Sequence, residues 1–384
     1  MASFQTPLVR ISGIEPHPNA DRLELAKVLG YTCVVRKGAF HSGQQVVYLP
    51  EGGVVPEWLC RALNLWDEKK GTGRLAGKQG LRIKATRLRG TLSQGLLYSV
   101  LAGPDGPYLA LEGGKPWSLA PTASGEEIAD VLGVEKYVPP VPVAFEGVVV
   151  EMHGHTIKFD IESLQSFPDA IASGEGIVVT EKLHGTWTGI SFDPSVDHPD
   201  LYEGGTIICS KGMSAKGLAF KTDNSNNKNL YVRTWRQFLL EPGHWDRIIQ
   251  EARDRGEAIH VLGETFGRGV QDLHYGLKTS ALRVFATGRG RAKDPASYFL
   301  SADDLAAWCS RFGLKTVPEL GRCAFSMEAA LALRDGKTTF GGVHAREGVV
   351  ISPNRRRSLA DEFAFVKLVS PDYLLRKGQA TEFE

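Results

Sequence analysis

Cysteine is scarce in this chain of 384 residues, and no two cysteines form a Cys-x-x-Cys pair; the five are Cys33, Cys60, Cys209, Cys309 and Cys323. An odd number of scattered cysteines indicates neither a disulfide framework nor a zinc site. We therefore expect buried thiols in a reducing compartment. The sequence also lacks a run of 18 apolar residues and a charged-then-apolar N-terminal segment, so we expect no membrane span, no signal peptide and a cytoplasmic location.

A strong excess of charge of either sign is also missing. The 45 Lys and Arg residues nearly balance the 44 Asp and Glu residues, which leaves a net charge of +1. Any contact with nucleic acid must therefore come from local basic patches. The hydrophobic content of 42% and the charged content of 23% are ordinary for a globular protein. The length predicts two or three domains.

Short alternating segments separated by turn residues dominate the first hundred positions and predict a small β-barrel. The candidate strands are Leu8–Ile11, Leu23–Leu29, Thr32–Arg36, Gln45–Leu49 and Leu81–Thr86. The stretches Glu15–Glu24 and Gly43–Pro50 resemble OB-fold domains, which commonly bind single strands through a basic face. Two basic clusters are candidates for that face, Arg36-Lys37 and the alternating cations of Arg82–Arg89, although a solvated barrel edge explains them equally well.

Proline and glycine mark the expected domain boundary. A Gly/Pro-rich stretch, Ala102–Trp117, is predicted to be a surface loop, and a short helix is expected near Glu126–Leu132. Three prolines between residues 139 and 142 predict a stiff connector. We therefore predict an OB-fold nucleic-acid-binding domain at 1–135, a linker at 136–144 and a second domain at 145–384. The polar run Asp223–Asn229 is expected to be a mobile loop.

The second domain contains the stretch Thr180–Trp187, in which Lys182 follows a short apolar strand and precedes Gly185. A lysine on rigid backbone can act as a nucleophile once burial or a cationic neighbour lowers its pKa. A lone Lys-x-His-Gly is, by contrast, most simply a surface lysine in a hairpin. We expect Lys182 at the strand end, in a turn set by Gly185.

Five segments in order resemble the motifs of the covalent nucleotidyltransferases, the superfamily of ligases and capping enzymes that form a lysyl-nucleotide. Lys182-Leu183-His184-Gly185 resembles the first motif, and His184 favours the RNA-ligase branch over DNA ligases and capping enzymes. The resemblance implies the following roles: Lys182 as nucleophile; Glu181, Gly185 and His184 near the nucleotide; Lys211 on phosphate; Glu264 on the ribose; Phe285 stacked on adenine; Glu347 holding a divalent metal; and Lys367 on the α-phosphate.

Two positions depart from the family pattern. The superfamily's last motif often has a second lysine where this chain has Val369, and Arg355-Arg356-Arg357 or Lys377 are candidates to replace it. The three arginines are equally consistent with a solvated loop. Trp187 stands where DNA ligases tend to have arginine and many RNA ligases have asparagine, so its contact with the nucleotide is open.

The resemblance implies an α+β protein, an N-terminal OB-fold barrel followed by a nucleotidyltransferase (ATP-grasp-like ligase) domain of antiparallel sheets with flanking helices. It implies a cytoplasmic, monomeric, ATP-dependent RNA ligase with catalytic residues Lys182, Glu347 and Lys367. Its cofactors would be ATP and Mg²⁺ or Mn²⁺. Its partner would be RNA, or an RNA-containing duplex with a nick between a 5′-phosphate and a 3′-hydroxyl. The alternatives are a guanylyltransferase, a DNA ligase, and an RNA- or tRNA-binding OB protein with an inactive second domain.

Overall fold

A computed structural model describes residues 4–138, 145–292 and 294–376. The chain divides into two compact units, Ala2–Val138 and Pro139–Glu384. The predicted connector 136–144 lies largely outside the described residues, and its first residue, Lys136, belongs to a strand of the first unit. Among the described residues, no helix combines the length and apolarity that crossing a membrane requires.

The first unit consists mainly of short strands. These are β1 Leu8–Pro16, β2 Leu23–Val28, β3 Tyr31–Arg36, β4 Gln45–Leu49, β5 Gly53–Val54, β6 Trp66–Asp67, β7 Thr72–Gly73, β8 Thr86–Leu88, β9 Thr91–Ser93, β10 Leu96–Ser99, β11 Leu101–Gly103, β12 Gly106–Ala110, β13 Pro116–Ser118 and β14 Glu135–Lys136, with helices α1 Glu57–Ala62 and α2 Gly125–Leu132. A five-stranded antiparallel sheet in the order β10-β4-β1-β2-β3 encloses one apolar core, and a second core lies beneath α1 and α2.

The first unit confirms four of the five predicted strands and the helix before Gly133, and it corrects two predictions. Leu81–Thr86 is not a continuous strand: Arg82 makes only isolated bridges, with Val54 and Ala76, and β8 begins at Thr86. The Arg82 side chain is buried, with its guanidinium 3.7 Å from the centre of the Tyr137 ring. The basic residues from Arg82 to Arg89 therefore do not share one strand face. The stretch predicted as a Gly/Pro-rich loop is instead the small sheet β11-β12-β13, since its turn residues separate strands only three to five residues long.

The second unit combines two sheets with helices. Its strands are β15 Val149–Glu151, β16 Glu162–Ser163, β17 Gly176–Lys182, β18 Gly185–Phe192, β19 Thr206–Ser210, β20 Leu218–Phe220, β21 Ile259–Gly267, β22 Ser280–Arg289, β23 Tyr298–Phe299, β24 Glu319–Ala324, β25 Gly348–Pro353, β26 Arg357–Ser358 and β27 Val366–Val369, and its helices are α3 Lys211–Ala215, α4 Leu230–Trp235, α5 His244–Arg255, α6 Ala302–Arg311, α7 Met327–Arg334 and α8 Pro371–Leu374.

The eight strands of the large sheet run in the order β15-β20-β19-β18-β21-β22-β23-β26, and the five strands of the small sheet in the order β16-β27-β25-β17-β24. Every pair is antiparallel except β16 with β27. Helices α4, α5 and α6 pack against the large sheet and cover the largest apolar core of this unit. Helix α7 covers the small sheet. The α+β class predicted from the sequence is confirmed.

The polar run expected to be a mobile loop is ordered. It forms a 3₁₀ turn, Asn224–Asn226, followed by the cap of α4. The buried Asn226 side chain bonds both backbone groups of Val148, and the Asn229 side chain accepts from two amides of α4. Buried amide groups that satisfy backbone donors and acceptors fix a local conformation. Polar composition alone was therefore a poor guide here.

Lys182 ends β17 in the small sheet, and Gly185 begins β18 in the large sheet. The two strands do not pair, so Lys182 is not a surface lysine in a hairpin, and the expected turn at Gly185 is wrong because Gly185 already belongs to β18. The crossover segment, residues 183–185, passes from one sheet to the other. Gly185 also has no positive φ. A Cβ at Gly185 would lie 2.8 Å from the Phe266 Cβ and closer still to the Thr265 carbonyl oxygen, so this glycine serves close strand approach, not a turn.

Candidate active site

Lys182 points into a cavity between the two sheets. Its Nζ atom lies 2.5 Å from Oε1 of Glu347, the residue immediately before β25. Both side chains are largely shielded, with 17% of Lys182 and 9% of Glu347 exposed. Strands β17 and β25 pair in register, Lys182 opposite Gly348, so the small sheet itself sets this contact. The second carboxylate oxygen of Glu347, Oε2, is buried, lies 4.0 Å from Nδ1 of His184 and has no hydrogen-bond partner among the described residues.

All nine residues that the sequence assigned to the site line this one cavity. They are Glu181, Lys182, His184, Gly185, Lys211, Glu264, Phe285, Glu347 and Lys367. The large sheet supplies Glu264 and Phe285, and the small sheet supplies Lys182 and Lys367. Residues separated by almost two hundred positions thus converge because the two sheets face each other.

Glu264 lies in the middle of β21. It is paired in register with Trp187 on β18, so the two side chains are neighbours on the cavity face of the large sheet. Burial is the main reason why the pKa of the Glu264 carboxyl is raised to about 8. The charge of Glu347 adds to this increase, and the charges of Lys182 and Lys211 oppose it. The Trp187 Nε1 atom is buried without a partner.

Aromatic side chains form one wall of the cavity. The ring of Phe285 lies 5.2 Å from that of Phe159, and Phe159 also contacts Trp187, Phe299 and Phe365 at ring distances of 5.5–6.3 Å. Such rings present flat apolar faces to the cavity and suit a planar heterocycle. The sequence assigned a nucleotide contact to only one of these rings, Phe285, and left the contact of Trp187 open.

Two further cations lie at the cavity. Lys211 is the first residue of α3, and its Nζ atom lies 2.9 Å from Oδ1 of Asp160. Lys367 lies on β27 between Val366 and Leu368, which are both buried, while the lysine itself is partly exposed to the cavity. The alternation of the strand explains how a lysine occurs within an apolar segment without being buried.

Glu181 immediately precedes Lys182 and is 1% exposed. Its Oε2 atom accepts hydrogen bonds from the amide and the hydroxyl of Thr339, at 2.9 and 2.7 Å. Its Oε1 atom is buried and has no hydrogen-bond partner in the part of the chain that the structure describes. A buried carboxylate oxygen of this kind favours a ligand that brings a hydrogen-bond donor.

His184 is held by the protein on every side. Its Nε2 atom lies 2.6 Å from Oδ1 of Asp272, and its Nδ1 atom lies 2.7 Å from the Tyr373 hydroxyl. Burial alone would raise the pKa of Asp272, but hydrogen bonds from His184 and Arg376 outweigh burial and hold that pKa well below its usual range. The predicted contact of His184 with nucleotide would therefore require one of these two ring bonds to break.

The arginines considered as substitutes for the second lysine of the last motif are engaged elsewhere. Arg355, Arg356 and Arg357 pair with Glu175, Asp304 and Asp361 respectively, and none of the three lines the cavity. Lys377 lies outside the described residues. Val369 itself is on β27, opposite Gly348.

Several cavity residues were not predicted from the sequence. They are Phe159, Asp160, Ile161, Gln271, Val317 and Tyr373. These residues come from connecting segments and from a short terminal helix, where no periodic pattern marks them. Trp187 was the one residue whose departure from the family pattern could have indicated the aromatic wall, because it lines the cavity.

Comparison with known proteins gives the family. A family model described as RNA ligase matches residues 175–369, slightly more than half of the chain, and a model of an OB-fold domain matches residues 6–100. No curated protein matches the chain.

Solved structures of Naegleria gruberi RNA ligase share the fold. A mutant with ATP and Mn has a TM-score of 0.71 at 22% identity, covering 97% of this chain and 98% of that one. A mutant with AMP and Mn has a TM-score of 0.69 at 22% identity, covering 96% and 97%. The protein with PPi has a TM-score of 0.69 at 22% identity, covering 96% and 98%.

The predicted resemblance and the OB-fold first unit are thus confirmed. The family model spans the segment that contains Lys182, the acidic residues of the cavity and the strand that contains Lys367. The chain belongs to the RNA ligase family.

Proposed function

We propose that the protein is an ATP-dependent RNA ligase that seals a 5′-phosphate to a 3′-hydroxyl at a nick, by way of a lysyl-AMP on Lys182. The observation that carries this proposal is the position of the Lys182 amine, enclosed between two sheets and 2.5 Å from Glu347. A surface lysine in a hairpin would have neither the enclosure nor the acidic partner.

The first step joins Lys182 to AMP. The Nζ atom attacks the α-phosphorus of ATP, the nitrogen–phosphorus bond forms, and the bond to the departing pyrophosphate breaks. The ammonium must first lose a proton, and the carboxylate of Glu347 lies within hydrogen-bond distance to accept it. Lys211 and Lys367 lie on the same cavity and would offset the charge that develops on the phosphorus.

The cavity suits a planar purine base such as adenine. The face of Phe285 and its neighbouring rings offer a stacking surface, and stacking a base is worth about 1–3 kcal/mol. The Oε1 atom of Glu181, which has no hydrogen-bond partner among the described residues, suits a donor such as the amino group of adenine. Glu264 would accept hydrogen bonds from the ribose hydroxyls.

A divalent metal fits at Glu347. Among the described residues, no group of three or more His, Cys, Asp or Glu side chains forms a metal cage. Mg²⁺ commonly uses one or two carboxylates together with waters and substrate phosphates, and the buried, unpartnered Oε2 atom of Glu347 is a ligand of that kind. Bound there, Mg²⁺ or Mn²⁺ would neutralise phosphate charge.

The two remaining steps act on RNA. The adenylate moves from Lys182 to the 5′-phosphate of the strand, which frees the amine and forms a 5′–5′ pyrophosphate linkage. The 3′-hydroxyl then attacks that phosphate, the phosphodiester forms, and AMP leaves with the electrons of the broken bond.

A cationic surface on the first unit is the candidate contact for the RNA strand. The β8–β9 hairpin carries exposed Arg87 and Arg89, and its tip is held where His17 bonds the Leu88 carbonyl oxygen at 3.1 Å. Exposed Arg36 ends β3, and the Val34 amide of the same strand donates to the Ser93 hydroxyl at the end of β9. Among the described residues of this unit, these three arginines form no ion pair. Unpaired cations at one end of the unit suit phosphates.

The oligomeric state and the cellular location are also part of this proposal. We propose a monomer, since the cavity is built from one chain. We propose a cytoplasmic location, because all five cysteines are free thiols, four of them buried and Cys323 partly exposed. Size-exclusion chromatography with light scattering measures the oligomeric state, and imaging of the tagged protein determines the location.

The test is labelling with α-³²P-ATP followed by denaturation. Wild-type protein should retain label, and Lys182→Ala should retain none. Lys221→Ala is the matched control, because Lys221 pairs with Asp200 at 2.8 Å elsewhere in the same unit. Label that persists in Lys182→Ala would refute the assignment. Labelling by GTP but not by ATP would favour a guanylyltransferase, and sealing of all-DNA nicks in preference to RNA nicks would favour a DNA ligase.

A further inference from the structure

The loop between β21 and β22, residues 268–279, bonds the crossover segment at three points. Asp272 contacts the ring of His184, the Tyr275 hydroxyl contacts the His184 backbone, and the Gln271 side-chain amide donates to the Gly185 carbonyl oxygen. These contacts fall on the two residues that separate Leu183 from the rest of β18. The loop therefore restrains the backbone directly behind the nucleophile.

The donor and the acceptor of the hydrogen bond between His184 and Asp272 can be assigned. An ionised carboxylate only accepts, so Nε2 of His184 carries the proton and donates to Asp272 at 2.6 Å. In the neutral ring Nδ1 then accepts from the Tyr373 hydroxyl at 2.7 Å. Arg376 donates to both oxygens of the Asp272 carboxylate, to Oδ2 at 3.3 Å and to Oδ1 at 3.4 Å. The ring is thus fixed at both nitrogens.

The contact with the His184 backbone depends on a residue in a strained conformation. Tyr275 has a φ of +53°, in the left-handed region that a bulky side chain rarely adopts, and it is 3% exposed. Its hydroxyl accepts from the His184 amide at 2.6 Å. Its ring packs edge-on against Phe266 at 5.0 Å and His344 at 4.5 Å. Strained residues persist where the surrounding structure fixes them, and they cluster at functional sites.

We propose that Asp272 and Tyr275 are positioning residues for the nucleophile, which act through His184 to hold Lys182 at the attack distance. The proposal rests on the ligase function proposed above. Only Leu183 and His184 separate Lys182 from the large sheet, so a shift of the His184 backbone passes directly to the Lys182 Cα. Displacement of a reacting group by about 1 Å can cost about a hundredfold in rate.

This arrangement also gives a physical reason for histidine in the third position of the motif. The imidazole places a protonated nitrogen against Asp272 and a lone pair against Tyr373, so one side chain joins the β21–β22 loop to α8. A shorter side chain at this position would leave the Asp272 carboxylate without its 2.6 Å donor.

The experiment compares Tyr275→Phe, Asp272→Asn and Asp272→Ala in the full chain, with Tyr202→Phe as control. Tyr202 is in the same unit, lies away from the cavity, and donates to Asp246 at 2.9 Å. Three quantities are measured: the single-turnover rate of label transfer from saturating ATP to Lys182, the Kd for α,β-methylene-ATP, and the melting temperature.

We expect Tyr275→Phe and Asp272→Ala to lower the transfer rate by about 10–100-fold while the analogue Kd stays within roughly threefold of wild type. Asp272→Asn keeps an acceptor for Nε2 and should recover part of the rate. The Tyr275→Phe and Asp272→Ala losses should combine less than multiplicatively, because both act on the same backbone segment.

Wild-type transfer rates in both Tyr275→Phe and Asp272→Ala would overturn the positioning proposal and leave the ligase proposal intact. Loss of rate in step with melting temperature or analogue affinity would overturn it too, because that pattern reports a structural or binding role. Failure of wild-type protein to form the adduct, or adduct in Lys182→Ala, would instead overturn the ligase function on which the proposal rests.

Discussion

The carboxyl group of Glu264 should make the stability of this enzyme fall as pH rises, and Glu264→Gln should remove that dependence. The pKa of this group is about 8 in the folded protein, against an ordinary value of 4.5. Between those values the folded state binds the proton and the unfolded state does not. Folding is therefore favoured at the acidic end of this window and loses that advantage as pH rises through it.

The magnitude follows from proton linkage. One proton held only by the folded state changes the free energy of unfolding by about 1.4 kcal/mol for each pH unit. From pH 5.5 to pH 7.5 the wild-type protein should therefore lose about 2.7 kcal/mol relative to Glu264→Gln, because glutamine does not ionise. Above pH 8 the difference should level off.

The assay is urea unfolding of nucleotide-free wild type and Glu264→Gln at pH 5.5, 6.5, 7.5 and 8.5. Glu257→Gln makes the same change of charge at an exposed position two residues before β21 and is the matched control. A wild-type-minus-variant difference that is constant across this range would refute the reasoning, because burial would then not have shifted the ionisation of Glu264.

Two further predictions concern the crossover segment and the cationic hairpin. Gly185→Ala should lower the free energy of unfolding by about 2–3 kcal/mol, measured by urea unfolding, since its Cβ would overlap the Thr265 carbonyl. Gly176→Ala is the control: nothing lies within 4 Å of its Cβ, so the free energy of unfolding should change little. Reversing Arg87 and Arg89 to Glu should weaken binding of a nicked RNA duplex about 10–100-fold at low salt, in fluorescence anisotropy, while adduct formation with ATP stays normal.

The control for the charge reversal is the same change at Lys69 and Lys70, which lie exposed on the β6–β7 turn. Equal loss of RNA affinity in both double variants would mean that overall charge, not the hairpin, attracts the strand. Loss of adduct formation in the hairpin variant would mean that the hairpin contributes to the first step.

The elements of the second unit were predictable where chemistry and strand pattern coincide. Lys182, Glu347 and Lys367 each lie at or next to the end of an apolar strand, so local sequence identified both the strand and the functional side chain. What local sequence does not encode is which strands pair. The alternation on either side of His184 is the same for a hairpin as for two strands in different sheets.

The partners of His184 were not predictable for a related reason. Asp272 lies 88 positions and Tyr373 lies 189 positions from it, on a loop and on a four-residue helix. Neither element has a periodic pattern, and only the facing of the two sheets brings them together. The buried Arg82 was missed because its burial depends on the Tyr137 ring, 55 positions away, while its neighbours suggested a cationic strand.

The chain passes from one sheet to the other, with Glu264 and Phe285 on the large sheet and Lys182 and Lys367 on the small one, so a bound nucleotide would tie the two sheets together. A base resting on the large sheet and a phosphate bonded from the small sheet would join them at a seam that the polypeptide crosses in only two residues. Once AMP is linked to Lys182 that tie becomes covalent on one side. Amide hydrogen exchange along β17 and β18 should therefore slow in the order empty, ATP-bound and adenylylated enzyme.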